Sequence, residues 1–341
     1  MNNDLKGKKV AIVGGAGFIG HNLALTLKDQ GAEVFVIDGL SVNNLLYLHS
    51  TDQEIPGNRE LYINMINNRL ELLQKAEIPL HVEDARNYNE LSHELSKIKP
   101  HVIILLAAVS HANRSNKNPF DTFDHSLRTL ENALDYARGN VDRFIYFSSS
   151  MVYGNFPSEG VTEDTPCKPM GIYGNLKWSG EQMVRAYNEV FDLPYTIVRP
   201  SALYGERCIS RRVGQIFIEN ALKGDDITVT GDGNDHLDFT YIKDLAMGVG
   251  KIIKSENAVN ETFNLTYGES RSIGDMAQII KEHFSGIKIN YVPKDKLTPD
   301  RGTLLVNKAK RLIGYDPKHP LEEGYVEYIN WYKSAWEKLN S

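Results

Sequence analysis

Strand and helix patterns alternate along the first two hundred residues. An apolar run over residues 10–13 leads through a glycine-rich turn into a helical pattern over residues 21–30, which ends at Gly31. A second apolar strand covers residues 33–37. Further strands are predicted over 80–82, 102–108, 144–147 and 195–199, and further helices over 59–75, 88–98, 118–138 and 173–190. This alternation predicts an α/β fold, a Rossmann-like doubly wound parallel sheet with helices on both faces. The most hydrophobic strand, 102–108, should lie at its centre.

Beyond Pro200 the pattern changes to shorter, mixed elements. A helix is predicted over residues 213–222, a strand over 224–229, and a helix, turn and closing helix over 307–331. We therefore predict a nucleotide-binding domain over residues 1–200, to which residues 240–255 return. Residues 201–341 would form a smaller mixed α/β lobe that binds the substrate.

One predicted helix carries an unusually regular apolar stripe. Its members are spaced three and four residues apart: Phe120, Phe123, Leu127, Leu130 and Leu134. Core packing alone would account for such a stripe. We favour the interpretation that it also contributes to a subunit interface, and we expect a homodimer.

Composition and charge exclude several classes of function. The 341 residues are 41% hydrophobic and 24% charged, which is ordinary for a globular protein. A net charge of −6 and the lack of a basic block argue against a nucleic-acid partner. The longest apolar run, 102–109, is too short to span a bilayer, and the first residues lack a signal-peptide pattern, so we expect a cytoplasmic protein with no membrane partner. Cys167 and Cys208 lack metal-type spacing, so we expect free thiols and no metal.

The glycine-rich turn is the first candidate for chemistry. Gly14, Gly17 and Gly20 lie between a strand and a helix, where glycines let the backbone approach a pyrophosphate. Asp38 follows at the end of the next strand, where such folds place a carboxylate on the adenosine ribose. That carboxylate would repel a 2′-phosphate, which favours NAD over NADP. The alternative is a merely structural tight turn with a solvated aspartate.

Two further motifs suggest proton transfer. Tyr173 and Lys177 are four residues apart on a predicted helix and share a face, and a nearby ammonium lowers the pKa of a phenol. Such a tyrosine can take a proton from a hydroxyl as hydride leaves the carbon. Ser148–Ser150 follow a buried strand at the sheet edge where ligands bind. Each motif alone has a structural alternative: a solvated helix pair, or a serine-rich strand exit.

Together these motifs resemble the extended short-chain dehydrogenase/reductase family, and within it the nucleotide-sugar epimerases and dehydratases. The segments that carry the resemblance are 14–20 (GGAGFIG), Asp38, 84–86 (DAR), 106–108 (LAA), 148–154 (SSSMVYG), 173–177 (YGNLK), 199–200 (RP), 231–233 (GDG), 238–239 (DF) and 308–315 (KAKRLIGY).

The resemblance implies a bound NAD and a nucleoside-diphosphate sugar, with hydride leaving a sugar carbon, usually C4. Ser149 matches the catalytic Ser/Thr of the family, Tyr173 its base and Lys177 the partner of that base. The implied cofactor-binding residues are Gly14, Gly17, Phe18, Ile19, Asp38, Asp84, Ala85, Leu106, Ala107, Ala108, Tyr173 and Lys177. The implied substrate-binding residues are Ser149, Ser150, Arg211 and Arg301.

Several positions depart from the family pattern. The 4,6-dehydratases place an acid pair after the catalytic Ser/Thr, whereas this chain has Ser150 and Met151, and methionine can neither donate nor accept the proton of an elimination. An arginine that usually grips the diphosphate is replaced by Leu237, which leaves Arg211, Arg212 and Arg301 as candidates. Other family asparagines correspond here to Ala202 and His125.

The outcome of the reaction stays open at this stage. The motifs fit a 4-epimerase or a 4-dehydrogenase, and residues 300–304 (DRGTL) give some likeness to bacterial GDP-heptose 4-dehydrogenases of capsule assembly. A 4,6-dehydratase and a non-catalytic NAD-binding sensor are the alternatives. The intact Ser149, Tyr173 and Lys177 argue against the sensor.

Overall fold

The protein is an α/β fold built on one parallel sheet. This computed structural model describes residues 4–41, 44–50, 57–109, 112–293 and 299–340, so parts of the stretch between the second and third strands lie outside the described residues. The strands are β1 (Lys9–Val13), β2 (Glu33–Ile37), β3 (Leu80–His81), β4 (Val102–Leu105), β5 (Arg143–Phe147), β6 (Tyr195–Arg199), β7 (Leu203–Tyr204), β8 (Ile227–Thr230), β9 (His236–Leu237), β10 (Thr240–Tyr241), β11 (Glu261–Asn264), β12 (Arg271–Ser272) and β13 (Ile289–Val292).

Helices connect these strands on both faces of the sheet. They are α1 (Phe18–Asp29), α2 (Leu45–His49), α3 (Arg59–Lys75), α4 (Tyr88–Ile98), α5 (Ala112–Lys117), α6 (Pro119–Phe123), α7 (Thr129–Ala137), α8 (Gly171–Phe191), α9 (Val213–Lys223), α10 (Ile242–Lys254), α11 (Ile273–His283), α12 (Asn307–Ile313) and α13 (Leu321–Asn340).

The main sheet has the strand order β11-β6-β5-β4-β1-β2-β3, and every pair in it is parallel. In β1, Val10 and Ile12 join the apolar cluster on one face, whereas Ala11 and Val13 join the cluster on the other. A strand buried on both faces reads as a continuous apolar run, which is the pattern in the sequence. The predicted doubly wound sheet is confirmed, and β4 is its middle strand, as predicted.

Strand β4 is shorter than the predicted run to residue 108. After Leu105 the chain turns across the end of β1, where Leu106 N and Ala107 N both donate to Val13 O at 2.8 and 3.0 Å. This turn brings residues 106–108 to the carboxyl edge of the sheet. The apolar pattern in the sequence could not show where the hydrogen-bonded pairing of β4 with β1 ends.

The predicted helix over 118–138 is interrupted. A π-helical turn, Asp124–Arg128, separates α6 from α7. Thr129 Oγ1 donates to His125 O at 2.8 Å and lies 3.0 Å from Ala107 O, so a side-chain hydroxyl competes for a carbonyl of the helical ladder. π-Helical turns inside α-helices occur frequently at functional sites.

The chain returns to the main sheet after β10. Helix α10 packs against α1, and β11 adds a parallel strand beside β6. The segment predicted to return to the nucleotide-binding domain, residues 240–255, does not include β11. The four residues of β11 have no long apolar run that would have indicated a strand of the main sheet. Among the described residues, no helix combines the length and the apolarity needed to cross a bilayer.

Candidate active site and cofactor cavity

The turn between β1 and α1 is closely packed against the rest of the sheet edge. Gly14 has a φ of +84°, and a Cβ there would lie 2.6 Å from Ala107 N. A Cβ on Gly20 would lie 2.4 Å from Gly15 Cα, so this glycine lets α1 pack on the turn. Gly17 differs, because the nearest atom to a Cβ there is Gly14 O at 3.4 Å, which is ordinary contact. Gly17 faces a cavity instead.

Asp38 holds this turn in place at the end of β2. Its Oδ2 accepts from Ala16 N at 2.9 Å, and its Oδ1 accepts from Leu40 N at 2.7 Å. Burial raises the pKa of the Asp38 carboxyl, and the two backbone hydrogen bonds oppose that rise. Each carboxylate oxygen has a second lone pair, so Asp38 can still accept from a ribose hydroxyl.

A buried network joins the turn to the segment after β7. Arg207 Nε donates to His21 Nε2 at 3.0 Å, so His21 carries its proton on Nδ1 and donates it to Gly17 O at 2.9 Å. Burial lowers the pKa of His21 well below its usual value, which keeps the ring neutral. Arg69, from α3, donates through Nε to Arg207 O at 3.0 Å and lines the same cavity. The first turn of α1 is thus anchored to the far wall of the cavity.

Two cavities of about 400 and 330 Å³ lie along the carboxyl edge of the sheet and share wall residues, among them Ile19, Leu106 and Arg212. The larger is lined by these residues predicted to bind the cofactor: Gly14, Gly17, Phe18, Ile19, Asp38, Asp84, Ala85, Leu106, Ala107 and Ala108. The open face at Gly17, the unpaired N–H groups at the start of α1 and Asp38 together fit a dinucleotide. The Asp84 carboxylate already accepts a hydrogen bond within the protein, because Arg86 Nη2 donates to its Oδ2 at 2.6 Å.

The smaller cavity contains the predicted catalytic residues. Ser149, Tyr173 and Lys177 all line it, with Ser150 and Arg301. Ser149 follows β5, and its Oγ accepts from Met151 N at 3.2 Å. Tyr173 and Lys177 come from the first turns of α8, and the nearby Ser149 hydroxyl lowers the pKa of the Tyr173 phenol. The structure therefore brings the serine and the phenol together in the smaller cavity, which shares wall residues with the larger one.

Lys177 is buried and is hydrogen-bonded to the end of β5. Its Nζ donates to Phe147 O at 2.7 Å, and burial lowers its pKa to about 8 against the opposing charge of Glu181. Burial raises the pKa of Tyr173, and the charges that lower it again are those of Arg212 and Arg301. Arg212, Arg301 and the Ser149 hydroxyl are thus further groups that lower this pKa, and the effect of Lys177 on the phenol stays a prediction.

A buried acid fixes the elements that carry these groups. Glu181, one turn beyond Lys177 on α8, accepts from Ser148 Oγ at 2.5 Å and pairs with Arg199 Nη2 at 2.7 Å. Charge-assisted hydrogen bonds of this kind are stronger than neutral ones. They lock the ends of β5 and β6 to α8, and so set the position of Ser149 relative to Tyr173.

The arginines expected to bind substrate have different surroundings. Arg211 Nη1 lies 3.0 Å from Tyr62 Oη and 3.2 Å from Glu219 Oε2, so its charge is already paired. Arg301 lines the catalytic cavity, where its Nη2 donates to Ser150 Oγ and, at 3.3 Å, to Ser201 Oγ. Arg212 lines both cavities.

Sequence reasoning missed Arg69 as a cavity residue. It lies four residues after Met65 and four before Leu73, both of which are buried on α3. A charged residue within a buried apolar stripe was the available signal, since such a residue must find polar partners in the fold.

With this geometry in place, the comparisons establish the family. Residues 10–266 match the NAD dependent epimerase/dehydratase family, and the chain belongs to it. The protein is therefore an NAD-dependent enzyme of nucleotide-sugar metabolism with a Rossmann-type sheet.

Individual relatives span several reactions. The chain is 28% identical to an uncharacterized UDP-glucose epimerase, YtcB, of Bacillus subtilis over 342 residues, covering 96% of this chain and 99% of the relative. It is 25% identical to a dTDP-glucose 4,6-dehydratase of Xanthomonas campestris, covering 94% and 92%. A UDP-glucuronic acid 4-epimerase from Bacillus cereus, solved with UDP-glucuronic acid and NAD, is 26% identical with a TM-score of 0.80, covering 96% and 99%.

Proposed function

We propose that this protein oxidises the C4 hydroxyl of a nucleoside-diphosphate sugar, as a 4-epimerase or a 4-dehydrogenase. The observation that carries this proposal is that Ser149 and Tyr173 line one cavity, which shares wall residues with the cavity that contains the predicted cofactor-binding residues. The nucleoside diphosphate would lie against residues 201–341. The relatives named above act, by their names, on UDP- and dTDP-sugars, so a GDP-heptose rests on residues 300–304 alone.

The residues of this chain have distinct roles in such a reaction. Bound NAD supplies the hydride acceptor. The Tyr173 oxygen takes the proton of the sugar hydroxyl, and Ser149 Oγ holds that hydroxyl in place through a shared hydrogen bond. Arg212 and Arg301 favour the phenolate, which makes the phenol a better base near neutral pH. Lys177 braces α8 against the end of β5 and contributes its positive charge to the catalytic cavity.

A 4,6-dehydratase is disfavoured by the side chains that follow Ser149. Elimination of water needs an acid and a base near C5 and C6. Here Ser150 Oγ accepts from Arg301, and the thioether of Met151 contacts the same guanidinium. Neither side chain exchanges a proton with a sugar carbon.

The substitution Tyr173→Phe tests the proposal. Removing the base should lower turnover by about 10²–10⁴-fold and leave NAD bound, because Tyr173 contributes a proton acceptor and little of the cofactor cavity. Turnover is followed with UDP-, GDP- and dTDP-sugars by reduced-nicotinamide absorbance and by product isomer. Reduced cofactor that accumulates one-to-one with product indicates a dehydrogenase, and an isomer without net reduction indicates an epimerase. Wild-type turnover in the variant would exclude Tyr173 as the base.

A further inference from the structure

Part of the wall of the catalytic cavity comes from the segment that leads into α12. This segment, residues 299–306, carries Arg301, which lines the cavity. Arg301 Nη2 donates to Ser150 Oγ and, at 3.3 Å, to Ser201 Oγ. Ser150 directly follows Ser149, so the placement of the 299–306 segment bears on the reacting end of the cavity.

One carboxylate holds the middle of the 299–306 segment. Asp238, between β9 and β10, accepts from Leu304 N at 3.0 Å through its Oδ2. The same carboxylate accepts from Thr266 Oγ1 at 3.0 Å and from Gly268 N at 3.2 Å, both in the stretch that follows β11. Three separate parts of the chain therefore meet at one acidic side chain.

The surroundings of Asp238 require a carboxylate. Two backbone N–H groups and one hydroxyl donate to it, and its side chain is fully buried, so water cannot replace a lost acceptor. Gly268 N lies 3.2 Å from each of the two carboxylate oxygens. In either orientation, the NH2 group of an asparagine at this position would therefore face an N–H donor.

The charge of Asp238 changes in the neutral pH range. Burial raises the pKa of this carboxyl to about 7, and the hydrogen bonds that it accepts oppose the rise. Arg301 and Tyr315 interact with it electrostatically. Burial raises the pKa of the Tyr315 phenol well above its usual value and lowers that of Arg301 to about 10, so neither group changes charge near pH 7. His236, on β9, is exposed and interacts with Asp275.

Resting on the proposed function, we propose that Asp238 is a positioning residue whose carboxylate holds the 299–306 segment, and with it Arg301, against the catalytic cavity. Asp238 lines neither cavity, so it acts through Leu304 and Arg301 and not on the reacting atoms. Protonation replaces an acceptor site with an O–H donor. The bond from Leu304 N then weakens, and the segment is held less tightly.

Hydrogen exchange of the NAD-loaded enzyme tests this role without any substrate. Peptides that span residues 299–306 should exchange about tenfold faster at about pH 6 than at about pH 8, after correction for the intrinsic exchange rate, because a charge-assisted hydrogen bond is lost. Asp238→Asn should exchange fast at both pH values. Asp226→Asn is the matched control and should behave as wild type, since exposed Asp226 also accepts a backbone hydrogen bond, from Lys288 N at 3.0 Å, outside both cavities.

Kinetics with a nucleotide sugar test the consequence for the reaction. At about pH 8, Asp238→Asn should raise KM about tenfold and keep kcat within about threefold, because the segment supplies cavity wall whereas β5 and α8 place Ser149 and Tyr173. Bound NAD reports that the variant is folded. An unchanged KM, or a loss confined to kcat, would overturn the positioning role.

The wild-type exchange profile decides the inference even if Asp238→Asn does not fold. Exchange in residues 299–306 that shows no step between about pH 6 and 8 would overturn it and leave the proposed function standing. If wild-type enzyme converts no nucleotide sugar, the proposed function is wrong, and the exchange profile still shows whether Asp238 holds the segment.

Discussion

The lysine of the Tyr-x-x-x-Lys motif is a buried group whose charge depends on pH in an accessible range. Burial lowers the pKa of Lys177 to about 8, so the ammonium is present below that pH and is lost above it. Phe147 O, its hydrogen-bond acceptor, lies at the end of the strand that leads to Ser149. The protonation state of Lys177 therefore bears on both the charge and the geometry of the site.

We predict that the affinity for NAD falls as the pH rises through about 8. Loss of the ammonium removes a positive charge from a site that binds an anionic dinucleotide. The dissociation constant is measured by fluorescence titration across pH 6–10, a range of about two units on either side of that value. Lys177→Met should bind NAD more weakly throughout and show no such step, whereas exposed Lys281→Met should behave as wild type. A wild-type profile that is flat across pH 8 would contradict the assignment.

Residue identity and residue surroundings were predictable to different degrees. The sequence indicated Tyr173 and Lys177 from their spacing and Ser149 from the resemblance to a family motif, because motif chemistry is local. It could not show that Arg211 is paired with Glu219, since those partners meet only when α9 folds. Nor could it show that Lys177 bonds Phe147 O, because that contact depends on how closely α8 packs on β5.

At the scale of single elements, the β1–α1 turn offers a matched pair of substitutions. Gly14→Ala meets both a positive φ and a Cβ contact of 2.6 Å, so it should lower the free energy of unfolding by about 1–3 kcal/mol. Gly17→Ala meets no clash and should change that free energy by less than about 1 kcal/mol. It should nevertheless weaken NAD binding about tenfold or more, because the methyl group enters the surface that faces the cofactor cavity.

Denaturant unfolding without cofactor and titration with NAD separate the two effects. Unimpaired NAD binding by Gly17→Ala would show that the cofactor does not approach this face of the turn. Unchanged stability in Gly14→Ala would mean that the turn rearranges at low cost.

Element boundaries were predictable where the chain itself sets them. The bounds of β2, α3, α4 and β6 are those predicted, since each is delimited by turn residues, prolines or the end of an apolar pattern. The end of β4 and the π-helical turn before α7 were not predictable. The first depends on bonds to the distant Val13 O, and the second lies where the Thr129 hydroxyl packs within 3.0 Å of the distant Ala107 O.

At the scale of the whole molecule, the apolar stripe along α6 and α7 divides into two parts. Leu130 and Leu134 are fully buried in the core beneath β4 and β5, which accounts for the second half of the stripe. Phe120 and Phe123 are 86% and 56% exposed. Val190 and Phe191, at the end of α8, are also exposed apolar residues. Core packing thus explains only part of the stripe.

We predict that the exposed part of this stripe is buried between two copies of the chain. Two phenylalanines three residues apart on one helix form an apolar surface that a second copy can cover, and closed two-fold dimers are the commonest assembly. The double substitution Phe120→Asp and Phe123→Asp should convert a dimer to a monomer, as measured by light scattering coupled to size exclusion. Val82→Asp, at an apolar position 58% exposed beyond β3, is the control and should leave the mass unchanged.

If wild-type protein has the mass of one chain across the accessible concentration range, the interface is absent. A dimer that survives the double substitution would place its interface on another face of the molecule.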